Sequence, residues 1–259
     1  MWDAQVAHLK ADYLCVRVTL PHFGGAGDKK ATSFSPWGYS FPDMADILAS
    51  SARKAVPTGK ITLVAHDWGS HYAFHMQNKY PQLIRRMVVM DVGPPNFSGA
   101  SLRMAPIYLA LGLLYQYFLL VYFLFSFVPF LAGIGDRCMR AAAATYKAGL
   151  HDHNTAGDRI TAKCGFPYMW YHWEYLLSVF GLQPGLHAPP KPIPLKEVPA
   201  GGCPVLFMFG DRKELFGMNV NFHSESWEKA LAAREGCEVV PLPCGHWLTS
   251  QCGGQVNAH

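Results

Sequence analysis

The chain has 259 residues, half of them apolar and 15% charged, with a formal net charge of +4. This is the composition of a globular protein, long enough for one α/β domain with an insertion. No lysine–arginine stripe accompanies the mild positive charge, which argues against nucleic acid as a partner. The seven cysteines (15, 138, 164, 203, 237, 244 and 252) are scattered, odd in number and without C-x-x-C spacing. That pattern fits reduced thiols rather than a disulfide framework or a zinc site. Met1-Trp2-Asp3 opens no basic segment followed by an apolar stretch, so no secretory signal is read and the chain is expected in the cytoplasm.

In chain order, Val16 to Leu20 reads as a strand, followed by the glycine-rich loop Pro21-His22-Phe23-Gly24-Gly25-Ala26-Gly27. Ser40-Phe41-Pro42-Asp43 starts a helix, with Ser40 as N-cap and Asp43 in a capping box. Met44, Ile47, Leu48 and Ala52 give that helix an apolar face. Ile61 to Ala65 is a short apolar, β-branched strand that breaks at His66-Asp67-Trp68-Gly69, where a second helix begins. Strand, sharp turn and helix form the setting of a nucleophile elbow, normally G-x-S-x-G. Here Asp67 fills the serine slot. A serine there makes acyl-enzymes, whereas an aspartate attacks sp³ carbon and leaves an alkyl ester that water must cleave. An aspartate at such a junction is equally suited to cap the helix. Tyr80-Pro81 closes the elbow helix, and Arg86 to Met90 forms a further strand ending at Asp91. Strands alternating with helices imply a parallel sheet with right-handed crossovers.

The rhythm lapses from about 94 to 200, a helical, aromatic and proline-punctuated stretch ending in Pro189-Pro190-Lys191-Pro192-Ile193-Pro194. Met104 to Gly135 contains no charged residue, and 107–131 is dense in Leu, Phe, Tyr and Val. Its length satisfies the rule for a membrane span. Pro106 and Pro129 bracket it and Gln116 and Ser126 interrupt it, and an apolar lid or a membrane-surface patch has the same pattern. The β/α rhythm resumes with Pro204 to Phe209 as a strand, Ser224 to Arg234 as a helix closed by Gly236, and Cys237 to Pro241 as the last strand. Cys244-Gly245-His246-Trp247 follows. The organisation is thus a core half at 1–93, a helical lid at 94–200 and a second core half at 201–259.

These residues resemble the α/β-hydrolase fold family, in its epoxide hydrolase and haloalkane dehalogenase branch. The resemblance rests on the His66-Asp67-Trp68-Gly69 elbow, the insertion after Asp91-Val92-Gly93-Pro94-Pro95, the Gly245-His246-Trp247 loop and Pro36-Trp37-Gly38-Tyr39-Ser40. It implies Asp67 as nucleophile, His246 as the base that activates water, and the Trp68 N–H as an oxyanion donor with its indole in the pocket. The family's third acid usually stands in a Gly-x-x-Asp pattern after the strand equivalent to 204–209. Here Gly210-Asp211-Arg212-Lys213 puts a lysine in that slot. Asp211 is the preferred acid by a local shift, with Asp91 as the alternative. The family's His-Gly-x-Pro loop, which supplies a second oxyanion donor, has no counterpart in the sequence, nor do the strands before it. The resemblance therefore suggests a chain truncated at both ends.

Epoxide hydrolases use lid tyrosines to protonate the leaving alkoxide. Tyr168 and Tyr171 stand at i and i+3, on one face of a helix, and Tyr146 is a further candidate. The resemblance thus implies an epoxide hydrolase acting on a small to medium apolar substrate through an Asp67 ester, with no metal or organic cofactor expected. Its alternatives are a haloalkane dehalogenase with the same Asp67 and His246, or a non-catalytic scaffold held at a membrane surface through 107–131.

Overall fold

A computed structural model describes residues 2–24, 33–93, 106–144, 160–179, 202–215, 218–219 and 221–259. The chain begins with helix α1 (Asp3–Leu9), then α2 (Phe41–Ala55), strand β1 (Ile61–His66), α3 (Trp68–Lys79) and β2 (Ile84–Met90). An insertion follows with α4 (Pro106–Phe125), α5 (Pro129–Ala144) and α6 (Phe166–Val179). The core resumes with β3 (Val205–Gly210), a short antiparallel pair β4 (Glu214–Leu215) and β5 (Met218–Asn219), then α7 (Glu225–Ala232) and β6 (Glu238–Leu242). Two short helices close it, α8 (Leu248–Gln251) and α9 (Gly253–Ala258).

β1, β2, β3 and β6 lie side by side in that order, every pair parallel. Successive residues of a strand face opposite sides, and here both sides are clothed. Met87, Val89, Phe207 and Phe209 join a core with Ala45, Phe74, Met76, Trp227 and Leu231 from α2, α3 and α7. Met90 and Met208 turn the other way, onto Cys244, Leu248 and Val256, with Trp2 packed at the edge. Gln5 donates from α1 to the Thr249 carbonyl, tying the first helix to the last turns.

Local chemistry explains where elements start. The Ser40 hydroxyl accepts the Asp43 N–H at 3.2 Å and donates to the Asp43 carboxylate at 2.6 Å, and Pro42 fits the first turn of α2. Ser224 caps α7 by accepting the Trp227 N–H. Gly236, at φ +74°, makes the turn into β6.

One expected strand is not formed. Val16 to Leu20 joins no ladder, and Leu14, Val16 and Val18 are exposed. An extended apolar run becomes a strand only where a neighbour takes its backbone groups, and among the described residues β1 pairs with β2 alone.

In the insertion, α4 packs on α5, α6 and the 3₁₀ turn Ala162–Gly165, burying Leu119, Phe123, Met139 and Phe166. Trp37 stacks on Phe127 at 4.2 Å, and the Trp170 indole donates to the Trp37 carbonyl. Gly38 beside it has φ +69°, and a Cβ there would fall 2.2 Å from the Phe166 ring, so only glycine fits this crossing. Among the described residues no helix is long and apolar enough to cross a membrane. The proline stretch expected to close the insertion lies outside the described residues.

Candidate active site

Asp67 sits between β1 and α3 with φ 55° and ψ −128°, and it makes no side-chain capping bond to α3. A non-glycine residue in that region costs of order 1–3 kcal/mol, so the turn is held by its surroundings. They are visible: the Asp67 N–H donates to Met90 O, and Ser70 Oγ donates to the same carbonyl. The conformation raises the carboxylate above the sheet edge, at 37% side-chain exposure. The capping alternative for Asp67 is therefore not what the side chain does. Trp68 opens α3, and the first N–H groups of a helix have no partner within it.

His246 lies beside Asp67, delivered by the loop after β6. Its Nε2 stands 3.8 Å from Asp67 Oδ1, beyond hydrogen-bond range and close enough for a bridging water. The loop is fixed from two sides. His66 Nε2 bonds the His246 carbonyl at 2.7 Å, and the two imidazoles lie 4.7 Å apart. Gly210, at the end of β3, backs against the loop so closely that a Cβ would fall 2.1 Å from the Gly245 carbonyl oxygen.

The other imidazole nitrogen faces a second carboxylate. His246 Nδ1 meets Asp91 Oδ2 at 2.5 Å, and Asp91 is fully buried. Asp91 is itself at φ 70°, bent off the end of β2 toward the loop. The expected Asp211 is not there. It is exposed beside Arg212 at 3.8 Å, because the chain leaves β3 with its Asp211 and Arg212 N–H groups bonded to Leu242 O and Cys244 O. Lys213, by contrast, turns inward and is 2% exposed, with Nζ 2.5 Å from Asp91 Oδ1. The Gly210 N–H donates to the same oxygen at 3.2 Å.

Burial alone would push the Asp91 carboxyl up. The His246 charge and hydrogen bond, then the Lys213 ammonium, overcome it and hold the group at about 2. Burial would likewise depress His246, yet the Asp91 charge and bond, with Asp67, raise it. His66 is lowered by burial and by repulsion from His246, so it stays neutral. The arrangement is a carboxylate, a basic imidazole and a second, buried carboxylate in line, which can form an ester and hydrolyse it.

An aromatic wall is built around Trp68, the residue after Asp67. Tyr168 meets the Trp68 indole edge-on at 4.8 Å, and Tyr171 meets it at 6.0 Å and His71 at 6.3 Å. Phe41 stacks beneath Trp68 and touches Tyr72. Glu174 follows Tyr171 by one turn of α6 and accepts the Phe41 N–H; burial, with Asp43 adding to it, pushes its carboxyl up to about 7. Among the described residues the buried Tyr72 hydroxyl has no hydrogen-bond partner. Tyr146 lies outside the described residues. Among the described residues no cluster of three or more histidine, cysteine or acidic side chains is placed to hold a metal ion.

The sequence matches the Alpha/beta hydrolase family over residues 1–258. Among solved structures, a Bacillus megaterium epoxide hydrolase is 14% identical with a TM-score of 0.62, over 99% of this chain and 86% of that one. A thermophilic esterase from Thermogutta terrifontis is 15% identical with a TM-score of 0.61, over 99% and 81%. A meta-cleavage product hydrolase from Pseudomonas fluorescens IP01 is 14% identical with a TM-score of 0.52, over 99% and 81%. Parallel sheet, elbow and histidine loop thus belong together: the chain is a member of the alpha/beta hydrolase family, a hydrolase by kinship and fold.

Three site residues were not anticipated from sequence. His66 carried a signal in its place before Asp67 and Lys213 in its place in the acid slot, but their partners come from distant loops. Glu174 sits in the same aromatic helix as the anticipated tyrosines and gave no separate signal.

Proposed function

We propose that the chain opens epoxides to vicinal diols through an ester on Asp67. The observation that carries this is the Asp67 carboxylate at a strained elbow, 3.8 Å from His246 Nε2, with the buried Asp91 on Nδ1. An Asp67 oxygen attacks an epoxide carbon as that carbon's bond to oxygen breaks, and the alkoxide takes a proton from Tyr168 or Tyr171. His246 Nε2 then removes a proton from water, and the hydroxide adds to the ester carbonyl of Asp67. The oxyanion faces the Trp68 N–H. Collapse expels the alcohol, and the proton held by His246 returns through solvent to the tyrosine. The sum is epoxide plus water giving diol. Helices α4 to α6 act as the lid, and the aromatic wall of Trp68, Tyr168 and Tyr171 suits a small apolar substrate. The apolar face at 107–131 makes contact with a membrane surface.

Nucleophile identity separates this reading from the esterase chemistry that the fold also hosts, since the elbow presents a carboxylate where an esterase needs a hydroxyl. The test is intact-mass analysis of folded His246→Ala after brief exposure to a panel of epoxides and alkyl halides. A mass gain that maps to Asp67 and is absent in Asp67→Asn/His246→Ala is the expected result. Adducts from halides alone would instead make the chain a haloalkane dehalogenase. A folded protein with no adduct from any of the panel would speak for a non-catalytic scaffold.

A further inference from the structure

Lys213 is the buried charge that the proposed chemistry leaves without a task. The two oxygens of Asp91 are divided: Oδ2 faces His246 Nδ1, while Oδ1 accepts from Lys213 Nζ and the Gly210 N–H. The ammonium lies between two rings, 5.6 Å from the Phe209 centroid and 5.5 Å from that of Phe222, which supports its charge away from water. It leaves β3 three residues after Gly210, the residue packed against the His246 loop. Lysine, acid and base are therefore fixed to one another by short chain segments.

We propose that Lys213 is the positioning residue of the Asp91–His246 pair. Its ammonium anchors Oδ1 so that Oδ2 is presented to the imidazole, and its charge offsets part of the pull of that carboxylate on the imidazole. Without an offset, a buried carboxylate at 2.5 Å would hold the imidazole protonated far into the alkaline range, and a protonated base cannot take a proton from water. The lysine keeps the acid ionised and the base usable near neutral pH.

The titratable groups facing this centre come from every packed element. Asp67 and His66 stand at the elbow, Asp91 follows β2, and Cys244 precedes the histidine loop. His223, paired with Glu228 at 3.1 Å, lies within the field of Lys213 and Asp91. Lys213 is the cation among them that exerts a lowering influence on His246.

The proposal uses the Asp67 and His246 chemistry above, but its test is independent of any substrate. The His246 imidazole is titrated by NMR in the whole chain, comparing wild type with Lys213→Met, Lys213→Gln and Lys213→Arg, each shown folded by circular dichroism. Removing the charge should raise the His246 midpoint by about one pH unit, as loss of a charge at this range does. Lys213→Arg, which keeps the charge, should restore it to within a few tenths of a unit. Lys213→Gln keeps a donor toward Asp91, so it folds where methionine leaves the carboxylate too bare, and it should show the same rise. A midpoint that is unmoved or lower in either folded neutral variant would overturn the proposal, since a lysine that only filled space would give that result. If the midpoint rises and no substrate ever marks Asp67, the proposed reaction fails while the role of Lys213 stands.

Discussion

Two aspartates stood at strand ends as candidates for the third acid, and their surroundings now separate them. Asp91 is fully buried with His246 at 2.5 Å, whereas Asp211 is exposed and beside Arg212. Asp91→Asn should slow hydrolysis of the Asp67 ester by about 10³–10⁴-fold, the scale on which loss of an orienting carboxylate acts. Asp211→Asn should leave that rate unchanged. Single-turnover decay of the adduct measures both, and equal losses in the two variants would reverse the assignment. The same geometry sets a pH direction. Because the His246 midpoint is raised above its ordinary value, ester hydrolysis should fall on acidification from a higher pH than an unperturbed imidazole would give. The elbow was legible because its signal is local: a five-residue run rich in apolar and β-branched side chains, a break, then a helix within nine positions. The position of the second carboxylate was not, since it depends on Lys213 entering the centre from the loop after β3 and on Asp91 bending inward at φ 70°.

At the scale of elements, α6 brings the aromatic wall to α3, and its docking includes an ionisable contact. Glu174 reaches the Phe41 N–H at the start of α2, and burial, with Asp43 adding to it, lifts its carboxyl to about 7 from 4.5. A carboxyl held more protonated in the folded chain than in the unfolded one contributes stability that is complete below about 4.5. That contribution is lost as pH climbs from 4.5 to about 7. Glu174→Gln keeps an acceptor for Phe41 and cannot ionise. Its melting temperature should match wild type near pH 4.5 and exceed it above pH 7, a gain of order 1–3 kcal/mol. Thermal melts across that window decide it, and a difference that is constant with pH would show that Glu174 does not titrate on folding. Elements themselves were legible where a cap or a period marked them, as Ser40 marks α2 and Ser224 marks α7. The stretch from Val16 to Leu20 has the composition of a strand and lacks the ladder, because strand formation is a property of two segments rather than one.

For the molecule as a whole, the unusual surface is the outer face of α4. Leu119 and Phe123 are buried against the helical layer, while Leu114, Tyr117, Phe118, Val121 and Leu124 are each 41–51% exposed. These five recur at spacings of three and four, so they form one stripe, and Phe130 on α5 is also 81% exposed. Apolar residues on both faces distinguish α4 from an ordinary amphipathic surface helix, whose outer face is polar. A stripe this continuous calls for an apolar neighbour. Its aromatic content and the exposed Arg137 beyond it suit the boundary of an anionic lipid surface. The stripe alone did not distinguish a span from a patch in the sequence; in the structure α4 packs on α5 and α6, and among the described residues no helix is long and apolar enough to cross a membrane. The full chain should co-sediment with vesicles of phosphatidylcholine and phosphatidylserine. Each apolar side chain moved from water into lipid contributes about 1.5–3 kcal/mol, so Leu114→Glu and Phe118→Glu should each weaken binding about tenfold or more. Both positions are exposed on α4, so the folded variants should keep wild-type adduct formation at Asp67. Equal vesicle binding by wild type and both variants would remove the stripe from any membrane role, and concentration-dependent dimers lost in the same variants would assign it to a second copy of the chain.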